Sequence, residues 1–359
     1  MSIKKISVNK DIHIAKTLPS SYYLDDQYFD LSIEKIFMPS WQIIINSNQI
    51  KNTIYPFTFL KDSINESLLL TKENSKIYCL SNVCTHRGNL LCSDKKSLKN
   101  IICKYHGRIF DLKGMLVSSP GFKGAKKFPS KKDNLKKIKL QIWKNLIFIS
   151  LKPKINLEKI FQDIDLRLGW YPFNKLEYNK SNSCEYTINA HWSLYCENYL
   201  EGFHVPFVHK GLKKDINLST YTTILLKNGV LQYTESRNKD DKLNIPKGYS
   251  DYKKNIYAYY YWLFPNIMLN FYNWGLSINI IEPIDKTKTR IRFLSYPIKN
   301  HTQPLNTDSS LDKVEKEDQD IVLNVQKGIQ SSLYNRGRYS PENELGVHYF
   351  HRLICKYLN

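Results

Sequence analysis

The sequence lacks the long apolar segments that membrane proteins and secreted precursors carry. It has no run of eighteen consecutive apolar residues, so we expect no transmembrane helix and no membrane partner. Its first residues, MSIKKISVNKDIHIAK, carry charges and no apolar core of the kind that a signal peptide needs. The sequence therefore predicts a cytoplasmic protein.

Acidic residues are scarce relative to basic ones. The chain has 33 Asp and Glu against 53 Lys and Arg, which gives a formal net charge of +20. The lysines are spread along the chain and form no compact block with interleaved aromatic residues, so we expect no nucleic-acid partner. A positive surface of this kind suits the docking of an acidic protein partner.

Cysteines are too few and too scattered for a disulfide framework. The seven cysteines of the 359-residue chain form an odd set, unlike the dense pattern of small secreted domains. We therefore expect them to be metal ligands or buried thiols. With 42% hydrophobic residues, a chain of this length can bury a sizeable core, and its length favours two domains.

Two pairs of cysteine and histidine stand out within residues 84 to 107. Cys84 and His86 lie in CTHRG, and Cys103 and His106 lie in CKYHG. Each pair follows a short apolar run and precedes a glycine, which is typical of ligand loops at the tips of β-hairpins. One candidate is a structural zinc site. The other is a Rieske centre, a [2Fe-2S] cluster with two cysteines on one iron and two histidines on the other.

A second group of candidate ligands lies in HWSLYCENYLEGFHVPFVHKGL, residues 191–212. Glu201 and His204 are three residues apart, so they share one face if the stretch is helical, and Pro206 would bend the chain so that His209 turns back toward His204. Two neutral imidazoles beside a carboxylate suit a ferrous site with open positions for O2 and substrate. An amphipathic helix with two hydrogen-bonded histidines is the alternative.

A third ligand for such an iron should be a carboxylate on a later helix. Residues 315–329 have a helix-like apolar period at Ile321, Val322, Val325 and Ile329. The acidic residues at the start of this segment are Glu315, Glu317, Asp318 and Asp320.

The two cysteine–histidine loops together carry a family resemblance. CTHRG and CKYHGRIFDLKG resemble the Rieske signature of the alpha subunits of Rieske non-heme iron oxygenases, the aromatic ring-hydroxylating dioxygenase family. The stretch at 191–212 resembles the second signature of the same family, and the resemblance extends over essentially the whole chain. It implies that Cys84, His86, Cys103 and His106 hold a [2Fe-2S] cluster.

The same resemblance implies roles in a second, mononuclear centre. His204 and His209 would bind Fe2+, and Glu201 would be the catalytic residue that bridges the two metal centres. Asp318 is the expected third ligand, because it lies eight residues before Gln326, as the Asp-x7-Gln pattern of the family requires. Asp320 is the alternative ligand.

Other residues that could bind metal are expected to have other roles. Glu315 and Glu317 are predicted to be solvated acids at a helix start. Packing or surface roles are expected for four further side chains, Cys79, Cys92, His348 and His351. The chain departs from the family pattern where His191 replaces the usual Asn before the tryptophan.

The expected fold is α+β. The resemblance implies a β-rich Rieske domain at 41–152, and a catalytic domain of the helix-grip, START-like type formed by 1–40 and 153–359. Strand-like runs alternate with Gly, Pro and Asp turns over 183–298, which predicts a large antiparallel sheet. Residues 301–312 are polar and are predicted to form a loop.

The resemblance also implies partners and a direction of electron flow. A flavin-containing reductase, directly or through a ferredoxin, would pass electrons from NAD(P)H to the cluster. In a homotrimer, the electron would go from His106 through Glu201 to His204 of the next subunit, where O2 and a small-molecule substrate react.

The C-terminal segment and the tyrosines of the predicted sheet bear on the substrate class. The C-terminal segment resembles choline-monooxygenase-like members, which favours hydroxylation or demethylation of an N-methyl or quaternary-ammonium compound. Tyrosines near 257–272 could bind such a cation or form ordinary sheet core. Dihydroxylation of an aromatic ring is one alternative, and a Rieske electron carrier or zinc-stabilised binding protein without oxygenase activity is another.

Overall fold

The computed structural model describes residues 4–238, 241–300 and 311–359. Its backbone forms two compact units, one made of Met1–Ser40 with Lys154–Asn359 and the other of Trp41–Pro153. Among the described helices, none is both long enough and apolar enough to cross a membrane.

The unit Trp41–Pro153 is built almost entirely from antiparallel strands. They are β1 (Gln42–Asn46), β2 (Ile54–Phe59), β3 (Glu66–Glu73), β4 (Lys76–Ser81), β5 (Asn100–Ile102), β6 (Ile109–Asp111), β7 (Leu116–Ser118), β8 (Lys137–Trp143) and β9 (Leu146–Ser150). Six of them form a sheet in the order β1-β9-β8-β4-β3-β2, and the other three form a small sheet in the order β5-β6-β7. Short 3-10 helices lie at Ser47–Gln49 and Lys131–Asp133.

The two cysteine–histidine loops lie at the ends of strands, as predicted. Residues 103–108 join the antiparallel neighbours β5 and β6, and Val83 pairs with Leu90 in an antiparallel bridge across the first loop. The thiols of Cys84 and Cys103 are buried in the apolar core of this unit. Packed apolar side chains around the two thiols therefore hold both loops in place.

The second unit combines a seven-stranded antiparallel sheet with helices. The helices are α1 (Ser20–Leu24), α2 (Asp26–Ser32), α3 (Glu158–Leu168), α4 (Trp192–Tyr199), α5 (Val205–Val208), α6 (Leu212–Asp215), α7 (Leu311–Ile329) and α8 (Leu345–Leu358). A π-helix, Ile33–Phe37, continues α2, and a 3-10 helix lies at Phe173–Lys175. The strands are β10 (Asn179–Ile188), β11 (Ile216–Leu226), β12 (Gly229–Ser236), β13 (Ile256–Leu263), β14 (Ile267–Phe271), β15 (Gly275–Asp285) and β16 (Lys288–Pro297).

This sheet has the order β10-β16-β15-β14-β13-β12-β11, so five of its six neighbouring pairs are consecutive in the chain. Links of two or three residues explain four of these pairs, because short links join antiparallel strands, and a longer link, residues 237–255, joins β12 to β13. The link between β11 and β12 is two residues long, and its Asn228 has a φ of +61°, a conformation that Asn tolerates well. Helix α4 packs against α7 and β15, which places the start of α7 beside the middle of the sheet.

The α+β fold with a large antiparallel sheet is confirmed. The loop prediction for 301–312 falls on residues 301–310, which lie outside the described residues, and it is wrong at 311 and 312, where α7 has begun.

Residues 201–204 are not helical, so the condition for a shared helix face of Glu201 and His204 is not met. Helix α4 ends at Tyr199, Glu201–His204 form a non-helical link, and Pro206 lies in the first turn of α5 rather than at a bend. Proline is tolerated there because its missing N–H has no helical partner in any case.

Candidate functional site

The two cysteine–histidine loops have the same backbone construction. The amide of Cys84 donates to the carbonyl of Asn89 at 2.8 Å, and the amide of Gly88 donates back to Cys84 at 3.0 Å. The second loop repeats these bonds between Cys103, Gly107 and Arg108 at 2.8 and 3.0 Å. Both glycines adopt left-handed backbone, with φ of +73° and +72°, which is why glycine follows each ligand pair.

Within this unit the four predicted cluster ligands meet as two like pairs. The thiols of Cys84 and Cys103 are in hydrogen-bonding contact, and the imidazole rings of His86 and His106 lie with their centroids 4.6 Å apart. A Rieske cluster requires this separation of two sulfurs from two ring nitrogens.

The pKa values of the two thiols shift in opposite directions. Burial raises the pKa of Cys84. Burial opposes ionisation of Cys103 as well, but the backbone N–H groups of Tyr105 and His106 lower its pKa below the ordinary value. Amide donors aimed at a sulfur favour its thiolate form, which is the form that binds metal.

A further observation supports a [2Fe-2S] cluster between these loops. Nδ1 of His86 is buried, and the described residues offer it no hydrogen-bond partner. A buried polar nitrogen without a partner is costly, and a metal ion would satisfy it. Cys79 and Cys92 are small buried side chains, and Cys92 packs in the same apolar cluster as Cys84 and Cys103.

The second group of ligands is positioned by α4 and its flanking residues. His191 is the N-cap of α4, where its Nδ1 accepts from the amide of Ser193 at 3.3 Å. Its own amide donates to Oε1 of Gln326 at 2.7 Å, which ties α4 to α7. His191 thus caps the helix, a role that Asn also performs well. Burial lowers its pKa to about 3 and keeps the ring neutral.

Glu201 shapes the link that carries His204. One carboxylate oxygen, Oε1, accepts from Nδ1 of His204 at 2.5 Å. The other, Oε2, accepts from the backbone amides of Phe203 and His204, the latter at 3.0 Å. Glu201 therefore orients the ring of His204 through Oε1, while Oε2 caps the non-helical turn.

Gly202 lies inside this turn for a steric reason. A Cβ at this position would lie 2.5 Å from the ring of Tyr221, closer than any real Cβ contact. The absence of a side chain therefore lets Tyr221 pack directly on the turn that presents Glu201 and His204.

His204, His209 and Asp318 converge on one point. Nε2 of His204 lies 3.2 Å from Nε2 of His209, and Oδ1 of Asp318 lies 3.0 Å from the second nitrogen and 3.5 Å from the first. Metal–ligand bonds of about 2.1 Å at right angles would separate neighbouring ligand atoms by about 3.0 Å. The triangle therefore fits a metal ion, and two histidines with one carboxylate are the donor set of non-heme ferrous sites.

Sequence reasoning missed the partner of His209. Nδ1 of His209 lies 2.7 Å from Oε2 of Glu317, so Glu317 is not the solvated helix-start acid that the sequence predicted. Burial opposes a charge on His209, but hydrogen bonds with Asp318 and Glu317 raise its pKa above the ordinary value. Nδ1 of each histidine in the triangle is thus hydrogen-bonded to a separate carboxylate, that of Glu201 for His204 and that of Glu317 for His209. Asp320, the alternative ligand, is exposed on the same helix.

Sequence reasoning also missed Glu315. Its carboxylate accepts from the hydroxyl of Tyr195 and from Nδ2 of Asn279, the latter at 3.4 Å. Burial, with the neighbouring Asp318 carboxylate adding to it, raises the pKa of Glu315 to about 8. The prediction of a solvated acid is therefore wrong here as well.

A cavity of about 120 Å³ opens on the histidine–aspartate triangle. Its wall includes both histidines, Asp318, Glu315 and a set of aromatic side chains, Tyr195, Tyr199, Tyr221, Tyr257, Tyr260 and Tyr272. Of the tyrosines near 257–272, Tyr259 and Tyr261 are sheet core, whereas Tyr257, Tyr260 and Tyr272 line the cavity.

Two family models match the chain. The Rieske [2Fe-2S] domain matches residues 40–129, and the ring hydroxylating alpha subunit (catalytic domain) matches residues 173–359. The second model alone covers more than half of the chain.

Similar curated proteins and solved structures agree with these models. Choline monooxygenase, chloroplastic, of Arabidopsis thaliana is 28% identical over 95% of this chain and 82% of its own length. The carnitine monooxygenase oxygenase subunit of Escherichia coli K12 is 26% identical over 95% and 94%. The fold matches a quaternary ammonium Rieske monooxygenase with a TM-score of 0.80 at 21% identity over 100% of both chains. It also matches naphthalene 1,2-dioxygenase from Rhodococcus with a TM-score of 0.71 at 15% identity over 95% and 93%.

A Rieske unit joined to a catalytic domain of this kind defines a Rieske non-heme iron oxygenase. The chain belongs to the ring hydroxylating alpha subunit family. Its cofactors are a Rieske [2Fe-2S] cluster and a mononuclear iron.

Proposed function

We propose that this enzyme is the oxygenase component of a monooxygenase that hydroxylates or demethylates a small quaternary-ammonium or N-methyl compound. The observation that carries the proposal is the cavity, whose tyrosine-rich wall and histidine–aspartate triangle enclose one space. Tyrosine rings attract alkylammonium cations by cation–π interaction. The likeness to choline and carnitine monooxygenases supports the same substrate class.

The ligand assignments are part of this proposal. Cys84 and Cys103 hold one iron of the cluster, and His86 and His106 hold the other. The grouping of two thiols and two imidazoles in separate pairs supports this assignment.

His204, His209 and Asp318 hold the mononuclear ferrous ion. The three ligand atoms lie within 4.8 Å of one another, which supports the assignment. When bound, the two metal centres supply single-electron transfer and O2 activation, and the protein supplies binding and orientation.

The carboxylates around the triangle set the tautomers of its imidazoles. Glu201 and Glu317 accept hydrogen bonds from Nδ1 of His204 and His209, so in the neutral rings the lone pair lies on Nε2. Both Nε2 atoms point toward Oδ1 of Asp318. Hydrogen bonds of this kind fix ring orientation and raise ligand basicity.

Glu201 also provides the bridge for electrons from a neighbouring subunit. A carboxylate has about four acceptor positions, two on each oxygen. Oε2 already accepts two backbone N–H groups, whereas Oε1 accepts one bond, from His204. The incoming His106 of the next subunit therefore donates to Oε1, and the electron passes from that ring to His204. This step requires an oligomer, for which we propose a homotrimer.

The electrons come from NAD(P)H through a flavin-containing reductase, directly or through a ferredoxin. Each monooxygenation consumes O2, two electrons and two protons, inserts one oxygen atom into a C–H bond of the substrate and releases one water. The excess of basic residues suits an acidic electron donor. We propose that the enzyme works in the cytoplasm.

Dihydroxylation of an aromatic ring is the second candidate. The structural match to naphthalene 1,2-dioxygenase favours it on fold alone.

The proposal is tested by a turnover screen with a purified reductase, NADH and O2. Choline, L-carnitine, γ-butyrobetaine and naphthalene are the substrates, and Asp318→Ala is the control. The expected product has gained one oxygen, or has lost a methyl group as formaldehyde, and depends on Asp318. Gain of two oxygens by naphthalene alone would establish the second candidate. A colourless, zinc-loaded protein without turnover would leave the zinc-stabilised binding protein, and a protein with cluster absorbance but no mononuclear iron and no turnover would leave the electron carrier.

A further inference from the structure

We propose that Glu315 selects the substrate charge, so that the cavity takes a small alkylammonium cation that carries no carboxylate of its own. This inference rests on the proposed function and narrows it, because choline-like compounds meet the requirement and carnitine-like zwitterions do not.

The first observation is the position of Glu315. It lies on α7 three residues before Asp318, so the two carboxylates share one face of the helix. Both line the cavity that contains His204 and His209. Asp318 contacts the two imidazoles, whereas Glu315 accepts hydrogen bonds from Tyr195 and Asn279.

The second observation is the charge of its partners. The Tyr195 hydroxyl and the Asn279 amide are neutral donors, so they bring no positive charge to Glu315, whose pKa burial raises to about 8. A charge in a partly desolvated wall is costly unless an opposite charge approaches it. A substrate ammonium group in the cavity supplies that charge.

The third observation is the composition of the wall. Among the described residues that line the cavity, none is lysine or arginine. A substrate carboxylate would therefore find no cationic side chain to pair with. An ammonium group in the cavity favours the ionised form of Glu315, and that form would repel a substrate carboxylate. The tyrosine rings of Tyr199, Tyr260 and Tyr272 add attraction for a cation and none for an anion.

The test compares three ligands by anaerobic calorimetry on the metal-loaded enzyme. They are choline, its uncharged carbon isostere 3,3-dimethylbutan-1-ol, and L-carnitine. We expect the parent to bind choline at least about tenfold more tightly than either other ligand, which corresponds to about 1.4 kcal/mol. In Glu315→Gln, which keeps the shape of the side chain, the preference over the isostere should fall to within about threefold, with isostere affinity unchanged.

Tyr195→Phe is the matched control. It removes a hydrogen bond to Glu315 and keeps the charge, so the preference for choline over the isostere should remain. A merely structural role of Glu315 would lower binding of choline and isostere alike. Cluster absorbance and iron content report whether each variant is folded and loaded.

The outcomes separate this inference from the function on which it rests. An unchanged choline-to-isostere ratio in Glu315→Gln overturns the role of Glu315 and leaves the proposed function standing. If Glu315→Gln does not fold, binding to the parent enzyme still tests the inference. A parent enzyme that binds choline no more tightly than the isostere, or that binds carnitine more tightly than choline, overturns it. If the parent enzyme binds no quaternary-ammonium compound, both this inference and the proposed function are wrong.

Discussion

Nδ1 of His209 lies 2.7 Å from the carboxylate of Glu317, one residue before the aspartate that completes the metal triangle. The relationship repeats, on the other histidine, the bond of 2.5 Å between His204 and Glu201. Both imidazoles are thus oriented by a carboxylate on the nitrogen that faces away from the proposed iron. Outer carboxylates of this kind hold ligand rings in place and tune their basicity.

Substitution of Glu317 should weaken the mononuclear site and spare the cluster. Glu317→Gln keeps the size of the side chain and removes the negative charge that faces Nδ1 of His209. We expect about tenfold weaker binding of ferrous iron, measured by chelator competition, with unchanged cluster absorbance. Asp320→Asn is the matched control, because it makes the same charge change at an exposed position of the same helix. Equal affinity in Glu317→Gln and the parent would contradict this role.

Substitution of Glu201 should separate metal loading from electron transfer. Glu201→Gln weakens the charge-assisted bond to His204 and the bridge proposed to the next subunit. We expect both centres to load, while reoxidation of the reduced cluster by substrate and O2 slows by roughly 100-fold. Rapid mixing with absorbance detection measures this rate. Reoxidation at the parent rate would mean that the electron takes another route.

Replacement of a cluster histidine should lower the redox potential of the cluster. In His86→Cys a thiolate takes the place of a neutral imidazole, and clusters with four thiolates lie at potentials lower by roughly 200 mV or more. The same direction is expected for His106→Cys. Redox titration followed by electron paramagnetic resonance measures the midpoint. Cys92→Ala, which changes a buried thiol that we do not assign to the cluster, should leave it unchanged.

Local spacing explains what the sequence could predict. The turns that present Cys84 and Cys103 are short, and each is closed by its own backbone bonds and a glycine, so local sequence predicts the ligand pattern. Four neighbouring pairs of the large sheet, from β11–β12 and β13–β14 to β15–β16, are likewise hairpins with links of two or three residues, and their alternation and turn residues are visible in the sequence.

Tertiary packing explains what the sequence could not predict. Glu315 and Glu317 look like solvated acids because their partners, Tyr195 and His209, are more than one hundred residues away in the chain. The non-helical turn at Glu201 depends on which groups its carboxylate meets, and periodicity carries no such information. The sequence does not show that α7 packs against α4, and this packing brings the acids of α7 to their partners.

His191 should make stability depend on pH. Its folded pKa of about 3 lies below the ordinary unfolded value, so the unfolded chain takes up a proton first and stability falls as the pH drops below about 6.5. Between pH 7 and pH 5 this loss is about 2 kcal/mol. His191→Asn keeps a capping side chain and removes the titration, so its urea midpoint should fall less over this range at equal metal content. A parallel decline in parent and variant would refute the assignment.

The central claim is that one chain joins a Rieske cluster to an iron held by His204, His209 and Asp318, and that this pair of centres oxygenates a quaternary-ammonium substrate. A single-turnover experiment tests it most directly. Enzyme reduced chemically and freed of reductant is mixed with choline and O2, and the product and the cluster oxidation state are measured in the parent and in Asp318→Ala. We predict that the parent forms product carrying one oxygen from O2 as its cluster is reoxidised. Asp318→Ala should retain a reducible cluster, lose the mononuclear iron and form no product. Equal product from both proteins, or three irons per chain in the variant, would contradict the account.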